Sequence, residues 1–172
     1  MLTVDELKRI LPLAGTRAET FCQPLNRAMA EFGIDSRARQ AAFIAQIGHE
    51  SGQLRYVREL ASGATYEGRA DLGNVVTGDG VRYKGRGLIQ VTGRANYKAC
   101  GAALGLDLIN HPEMLEQPIN ACRSAAWFWK SRGLNDLADV GDQIKITRRI
   151  NGGTNGLAER LAFFESAKKE LT

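Results

Sequence analysis

Apolar residues recur at helical spacing over most of this chain, and the densest run lies within Ser36 to Glu59, SRARQAAFIAQIGHESGQLRYVRE. Ala41, Ile44, Ala45 and Gly48 fall at i, i+3, i+4 and i+7, while Phe43 and Ile47 take another side. A helix that is apolar nearly all round belongs in the middle of its domain. Asp35 or Ser36 is its expected N-cap and Ser51-Gly52 its expected break. The same spacing predicts a helix over Thr3–Leu11, opened by a Thr3/Glu6 capping box, and another over Thr16–Phe32. Further helices are expected over Arg94–Leu104, over Pro118–Ser131, from Asp139 through Val140, Ile144 and Ile150, and along Leu157, Leu161 and Phe164. The last two are separated by the breaker cluster Asn151-Gly152-Gly153-Thr154-Asn155-Gly156. From Ala61 to Gly93 the chain turns glycine-rich and reads as loops, with a turn at Gly78-Asp79-Gly80 and short hairpin strands between Arg82 and Thr92. Gln90, Thr92 and Asn96 place amides and a hydroxyl at the exit of this region.

An apolar helix makes its polar tip informative. Glu50 shares a face with Phe43 and Ile47 in the last turn before Gly52, so apolar surroundings and the negative end of the helix dipole are expected to suit a proton donor there. Glu59 follows nine residues later, which on a continuous helix means a rotation of roughly 180° and a rise of about 13 Å. The helix has to break for the two carboxylates to meet across a cleft. Paired carboxylates in unlike environments are the apparatus of glycoside hydrolysis, one as acid and the other as base or nucleophile. Two helix-end surface charges are the commoner origin of an isolated pair of Glu residues, so the claim needs further support.

Composition narrows the class. With 172 residues, 44% hydrophobic and 24% charged, the chain suits one domain with a sizeable core. No apolar run approaches the ~20 residues that span a bilayer. The opening MLTVDELKRILPLAG has no signal-peptide h-region, so a cytoplasmic start is expected. A net charge of +4 favours anionic partners, but the basic residues are interleaved with acidic ones, which argues against nucleic acid. Cys22, Cys100 and Cys122 form no CxxC and read as core thiols. His49-Glu50 begins a zinc-protease pattern, yet Gln53 stands where the second His would be, and no metal site is expected. Gly85-Arg86-Gly87 lacks the third glycine of a dinucleotide fingerprint, and no phosphate-loop motif occurs. Gly48-His49-Glu50-Ser51-Gly52 has its serine misplaced for a nucleophile elbow. Trp127 and Trp129 fit a helix core, with stacking on sugar rings as the alternative.

Taken together, AAFIAQIGHESG, YEGRADLGN, GDGVRYKGRGLIQVTGRANY, AAWFWKSRGLN and RINGGTNG with ERLAFF resemble the bacteriophage and bacterial branch of glycoside hydrolase family 19, the group of plant-type chitinases and phage endolysins. The resemblance runs from about Ala41 to the C-terminus. It implies a mainly α, lysozyme-like fold of two lobes, with a small β-hairpin region beside the groove. One catalytic domain would cover residues 1–172, residues about 97–137 forming a smaller lobe, with no separate wall-binding domain. By the same resemblance Glu50 corresponds to the general acid and Glu59 to the general base of an inverting reaction, with Glu67 the other candidate for base. Thr92 corresponds to the hydroxyl that holds the attacking water. Gln90 and Asn96 match substrate-binding positions; Tyr83 and Arg86, in the same block, and Asn151 and Arg160, in the later ones, are the further expected substrate contacts. No cofactor is implied. The plant enzymes carry their second carboxylate in an inserted segment missing here, which shifts the expected substrate from chitin to the glycan strands of peptidoglycan. The phage members imply a monomeric endolysin that waits in the host cytoplasm, without stable membrane insertion, and reaches the periplasm and wall through a holin. A chitinase and a non-catalytic wall binder are the alternatives.

Overall fold

The computed structural model describes residues 1–171, which fold into nine α-helices joined by three short 3-10 turns: α1 Val4–Ile10, α2 Arg17–Glu31, α3 Arg37–Glu50, α4 Asp79–Arg82, α5 Arg94–Leu104, α6 Pro118–Ser131, α7 Leu134–Asp139, α8 Gln143–Asn151 and α9 Leu157–Glu170. Thr3 and Glu6 close the expected capping box on α1. Ser36 caps α3 by accepting the Arg39 amide at 3.2 Å.

α3 is the central helix. Every residue from Ala41 to Gly48 is buried, and burying Phe43, Ile44 and Ile47 contributes roughly 1.5–3 kcal/mol each. One side packs along α9, α2 packs along α6, and all join one continuous core. Phe43 meets Trp129 of α6 edge to face, with ring centroids 5.5 Å apart. Trp129 is fully buried and donates its indole N–H to Asn135, so the core reading of that residue holds.

Three local expectations change. The hairpin between Arg82 and Thr92 is a tight loop, with antiparallel bridges Arg58–Arg86 and Arg86–Val91 in place of extended strands. The Gly78-Asp79-Gly80 turn opens a single helical turn, α4, because Asp79 accepts the Val76 amide and pairs with Arg94 of α5. Asp139 ends α7 instead of starting a helix; Gly141 breaks the chain and Asp142 caps α8 by accepting the Lys145 amide. Val140 and Ile144 are therefore exposed, and Ile146 and Thr147 face inward. On α9 the inward face is Arg160, Phe163, Phe164 and Ala167, with Leu161 at the margin.

Cys22, Cys100 and Cys122 are buried and free. Burial pushes the Cys100 thiol up to about 12 and raises Cys122 as well, which makes both unreactive packing residues. No described helix is long and apolar enough to cross a membrane.

The Asp79 side chain is 2% exposed and its carboxylate is held by the Arg94 guanidinium at 2.7 and 2.8 Å. The hydrogen bonds from Arg94 pull its pKa below the usual 3.8. A depressed pKa means that Asp79 stabilises the fold fully above 3.8 and loses this contribution as pH falls through the lowered value. Asp79→Asn should therefore melt below wild type at neutral pH, and the gap should narrow as pH falls below 3.8 and through the lowered value, by thermal unfolding across pH.

Candidate active site

Glu50 is the last residue of α3 and does not meet the apolar surroundings expected of it. Its Oε1 accepts Arg160 Nη2 at 2.6 Å, with the Arg160 side chain 1% exposed and that of Glu50 20%. The other two guanidinium nitrogens are also engaged: Nη1 donates to Gln46 Oε1 at 2.6 Å and Nε to the Asn155 carbonyl at 3.0 Å. Gln46 donates to Thr147 Oγ1, which donates to the Gln143 carbonyl. A chain of buried polar groups thus ties α3, α8 and α9 together behind Glu50. Beside it, His49 Nδ1 pairs with Glu159. Gly156 lets the start of α9 come this close, since a Cβ there would stand 2.1 Å from the His49 ring.

After Glu50 the chain reverses. Gly52, Gln53 and Leu54 all take positive φ (57°, 58° and 66°), a left-handed run that is costly for the two non-glycine residues. Ser51 supports it by donating to the Ile47 carbonyl and accepting the Leu54 amide. The Gln53 side chain anchors the turn to the N-terminal segment by accepting the Leu13 amide at 2.8 Å. The returning strand then runs beside residues 85–87: the Glu59 amide donates to the Gly85 carbonyl at 2.9 Å and the Gly87 amide to the Val57 carbonyl at 2.8 Å.

Here Glu59 faces the loop that carries Gln90 and Thr92. A Cβ on Gly85 would lie 2.8 Å from both Glu59 Oε2 and Gln90 Oε1, so a side chain there would push those two groups from their places. Tyr66 donates to Glu59 Oε2 at 3.0 Å, while Glu59 Oε1 is buried with no partner among the described residues. Burial, and then the bond to Glu59, raise the Tyr66 phenol above its usual value, which keeps it protonated as a donor. The two carboxylates therefore stand in unlike environments, one held by a cation and one by a neutral phenol.

Gln90 sits at φ 59° and gives its amide N–H to the Gly87 carbonyl; Thr92 Oγ1 donates to the Gln90 carbonyl and Asn96 Nδ2 to the Thr92 carbonyl. Gln90, Thr92 and Asn96 line one cavity of about 150 Å³ together with Trp127, Phe128 and Arg132.

The family model described as chitinase class I matches residues 26–138. The chain belongs to glycoside hydrolase family 19. This family 19 chain is 32% identical to a glycosyl hydrolase family 19 domain-containing protein of Haemophilus influenzae, across 84% of the chain and 86% of that protein. It is 37% identical to the Arabidopsis thaliana endochitinase At2g43610 over 70% of its length, but spans only 42% of that relative. Chitinase C from Streptomyces griseus superposes with a TM-score of 0.80 at 25% identity, covering 98% of this chain and 76% of that one. A class IV chitinase from Zea mays shares the fold with a TM-score of 0.69, over 86% of this chain and 78% of that one at 23% identity.

Within this family 19 site the structure sorts the expected residues. Arg160, expected to touch substrate, is 1% exposed and instead holds Glu50 from behind; Gln90 lies beside Glu59 and shares a cavity with Thr92 and Asn96. Glu67 is bound by the amides of Gly78 and Gly80 at 2.7 and 2.8 Å, which gives it the work of holding that loop. Tyr83 and Arg86 are corrections: Tyr83 is 1% exposed, donates to the Ile109 carbonyl and packs on Tyr97, and Arg86 is buried against Glu116 and Tyr97. Both support the loop from beneath instead of facing substrate. Asn151 ends α8 exposed and makes no hydrogen bond to either carboxylate among the described residues. Gln46 and Tyr66 were not singled out from the sequence, since one looked like an ordinary polar position in an apolar helix and the other lay in a glycine-rich loop.

Removing one partner of a buried ion pair leaves the other uncompensated. Arg160→Met should lower the unfolding free energy by about 3 kcal/mol in urea denaturation, and hydrolysis should be lost even where the variant is still folded.

Proposed function

We propose that the protein hydrolyses glycosidic bonds in the glycan strands of bacterial peptidoglycan by an inverting acid/base mechanism. The observation that carries the hydrolytic mechanism is the asymmetric pair itself, Glu50 on Arg160 and Glu59 on Tyr66 at either end of one chain reversal. In this reading Glu50 gives a proton to the glycosidic oxygen, and Arg160, already in place, stabilises the carboxylate that remains, with no reorganisation during the reaction. Glu59 takes a proton from the attacking water. The Thr92 hydroxyl hydrogen is committed to the Gln90 carbonyl, so its oxygen is left as an acceptor that orients that water. Gln90 Oε1 and Asn96 Oδ1 remain free to accept from the hydroxyl and acetamido groups of the sugar.

Peptidoglycan is favoured over chitin by the net charge of +4, which suits an anionic wall. An endolysin that acts as a monomer, held in the host cytoplasm until a holin opens the membrane, is the biological role we assign. A second reading, a chitinase, draws support from the plant relatives, which are endochitinases.

The test is loss of turbidity of purified Gram-negative cell walls, with mass spectrometry of the fragments. Wild type should clear the walls and create new reducing sugar ends, and Glu50→Gln and Glu59→Gln should each be slower by about 10²–10⁴-fold. Wild type that leaves walls intact yet releases soluble sugars from chitin would move the assignment to the second reading.

A further inference from the structure

We propose that the cavity beside Thr92 is a subsite for an acid-bearing sugar, with the Trp127 indole as its wall and the Arg132 guanidinium as its anion contact. The inference rests on the peptidoglycan reading. Alternate sugars of peptidoglycan carry a lactyl ether whose carboxyl is either free or extended into a peptide that ends in carboxylates, whereas chitin is uncharged.

The volume of about 150 Å³ is below the roughly 300–1,000 Å³ of a site that encloses a whole small molecule, so the cavity fits one ring or its substituent. Its two sides differ in chemistry. Gln90 and Asn96 each spend one amide N–H on a backbone carbonyl, so the side they form keeps an amide oxygen and one N–H apiece, a mixed set that suits the neutral hydroxyl and amide groups of a sugar. The other side offers a half-buried Trp127 and, at the C-terminal end of α6, Arg132. Trp127 thereby parts from Trp129, two residues on and fully buried.

Arg132 is the cation of this cavity and it is unspent. Its Cζ lies 4.4 Å from the centre of the Phe128 ring, a stacking contact that orients the guanidinium plane and leaves its N–H edge open. Arg86, Arg94 and Arg123 are neutralised by Glu116, Asp79 and Glu31, and Arg82 is spent on the Ile109 and Asn110 carbonyls. Arg132 pairs with no carboxylate among the described residues. Neither does Arg149, whose Nη1 donates to the Arg132 carbonyl at 3.0 Å and fixes the end of α6 that carries Arg132. An unpaired, oriented guanidinium beside an aromatic wall recognises a carboxylate next to a sugar ring.

The experiment measures kcat/KM for wild type, Arg132→Gln, Arg132→Lys and Trp127→Ala on three forms of one wall preparation: intact, stripped of stem peptides by an amidase, and carboxyl-amidated with carbodiimide. Arg132→Gln should be slower by about ten- to a hundredfold on a charged form, the loss of one charge-assisted hydrogen bond. It should match wild type on the amidated form, and Arg132→Lys should retain part of the rate. A loss on intact walls alone identifies a peptide carboxylate, and one that persists after stripping identifies the lactyl carboxyl. Trp127→Ala should be slower on all three forms. Equal behaviour of Arg132→Gln and wild type on every form, or an equal loss on all, overturns the anion contact while leaving the peptidoglycan reading intact. An undiminished Trp127→Ala overturns the aromatic wall. Wild type that cleaves chitin oligosaccharides but none of the wall forms overturns the peptidoglycan reading and this subsite with it.

Discussion

The rest of the structure depends on one buried guanidinium. Taking Arg160 out of water costs several kcal/mol unless its charge and its N–H groups are met inside the protein, and three elements combine to meet them. Glu50 supplies the countercharge from the end of α3, Gln46 an amide oxygen one turn earlier, and the loop before α9 the Asn155 carbonyl. The interaction is satisfied in a single arrangement of α3 and α9, with α8 attached through Thr147. Its main effect is to specify where the acid stands, since an apolar replacement would pack the same helices without orienting the carboxylate.

The other half of the site is held by backbone geometry. A helix cannot present two carboxylates nine residues apart to one point, and the left-handed run at Gly52, Gln53 and Leu54 resolves this by folding the chain back on the loop around Gly85 and Gln90. That turn, and Gln90 with its own positive φ, are where the fold stores conformational strain. Both lie against the proposed chemistry, the usual place for strain that neighbouring packing over-determines. One carboxylate therefore belongs to the rigid helical core and the other to a loop anchored by Tyr66, Gly85 and Gly87.

The helices were legible in the residues wherever an apolar stripe met a capping residue, as with Thr3, Ser36 and the stretch from Arg94 to Leu104. The reading failed where polar contacts overrode the stripe. Val140 and Ile144 have the spacing of a buried face, yet Gly141 and the Asp142 cap rotate α8 away from them. Arg160 is expected at the substrate and is instead a buried charge, because its partners Gln46 and Glu50 lie 114 and 110 residues away in sequence. Glu50 and Glu59 were visible as a pair of carboxylates, but the cation on one and the phenol on the other arise from long-range packing and from a glycine-rich loop that carries no periodic signal. Tyr83 and Arg86 sit in the most distinctive motif of the chain, and the structure gives them an internal role, since a distinctive motif can encode support as well as contact.

The central claim is that Glu50 and Glu59 act from opposite faces of one sugar, so that water attacks directly. Proton NMR of the reducing end in the first minutes of digestion of β-linked glycan strands tests this most directly. The account predicts that the α anomer appears first and that the β anomer follows by mutarotation. Initial release of the β anomer would mean a covalent intermediate and retention, and would contradict the assignment of Glu59 as a base acting on water.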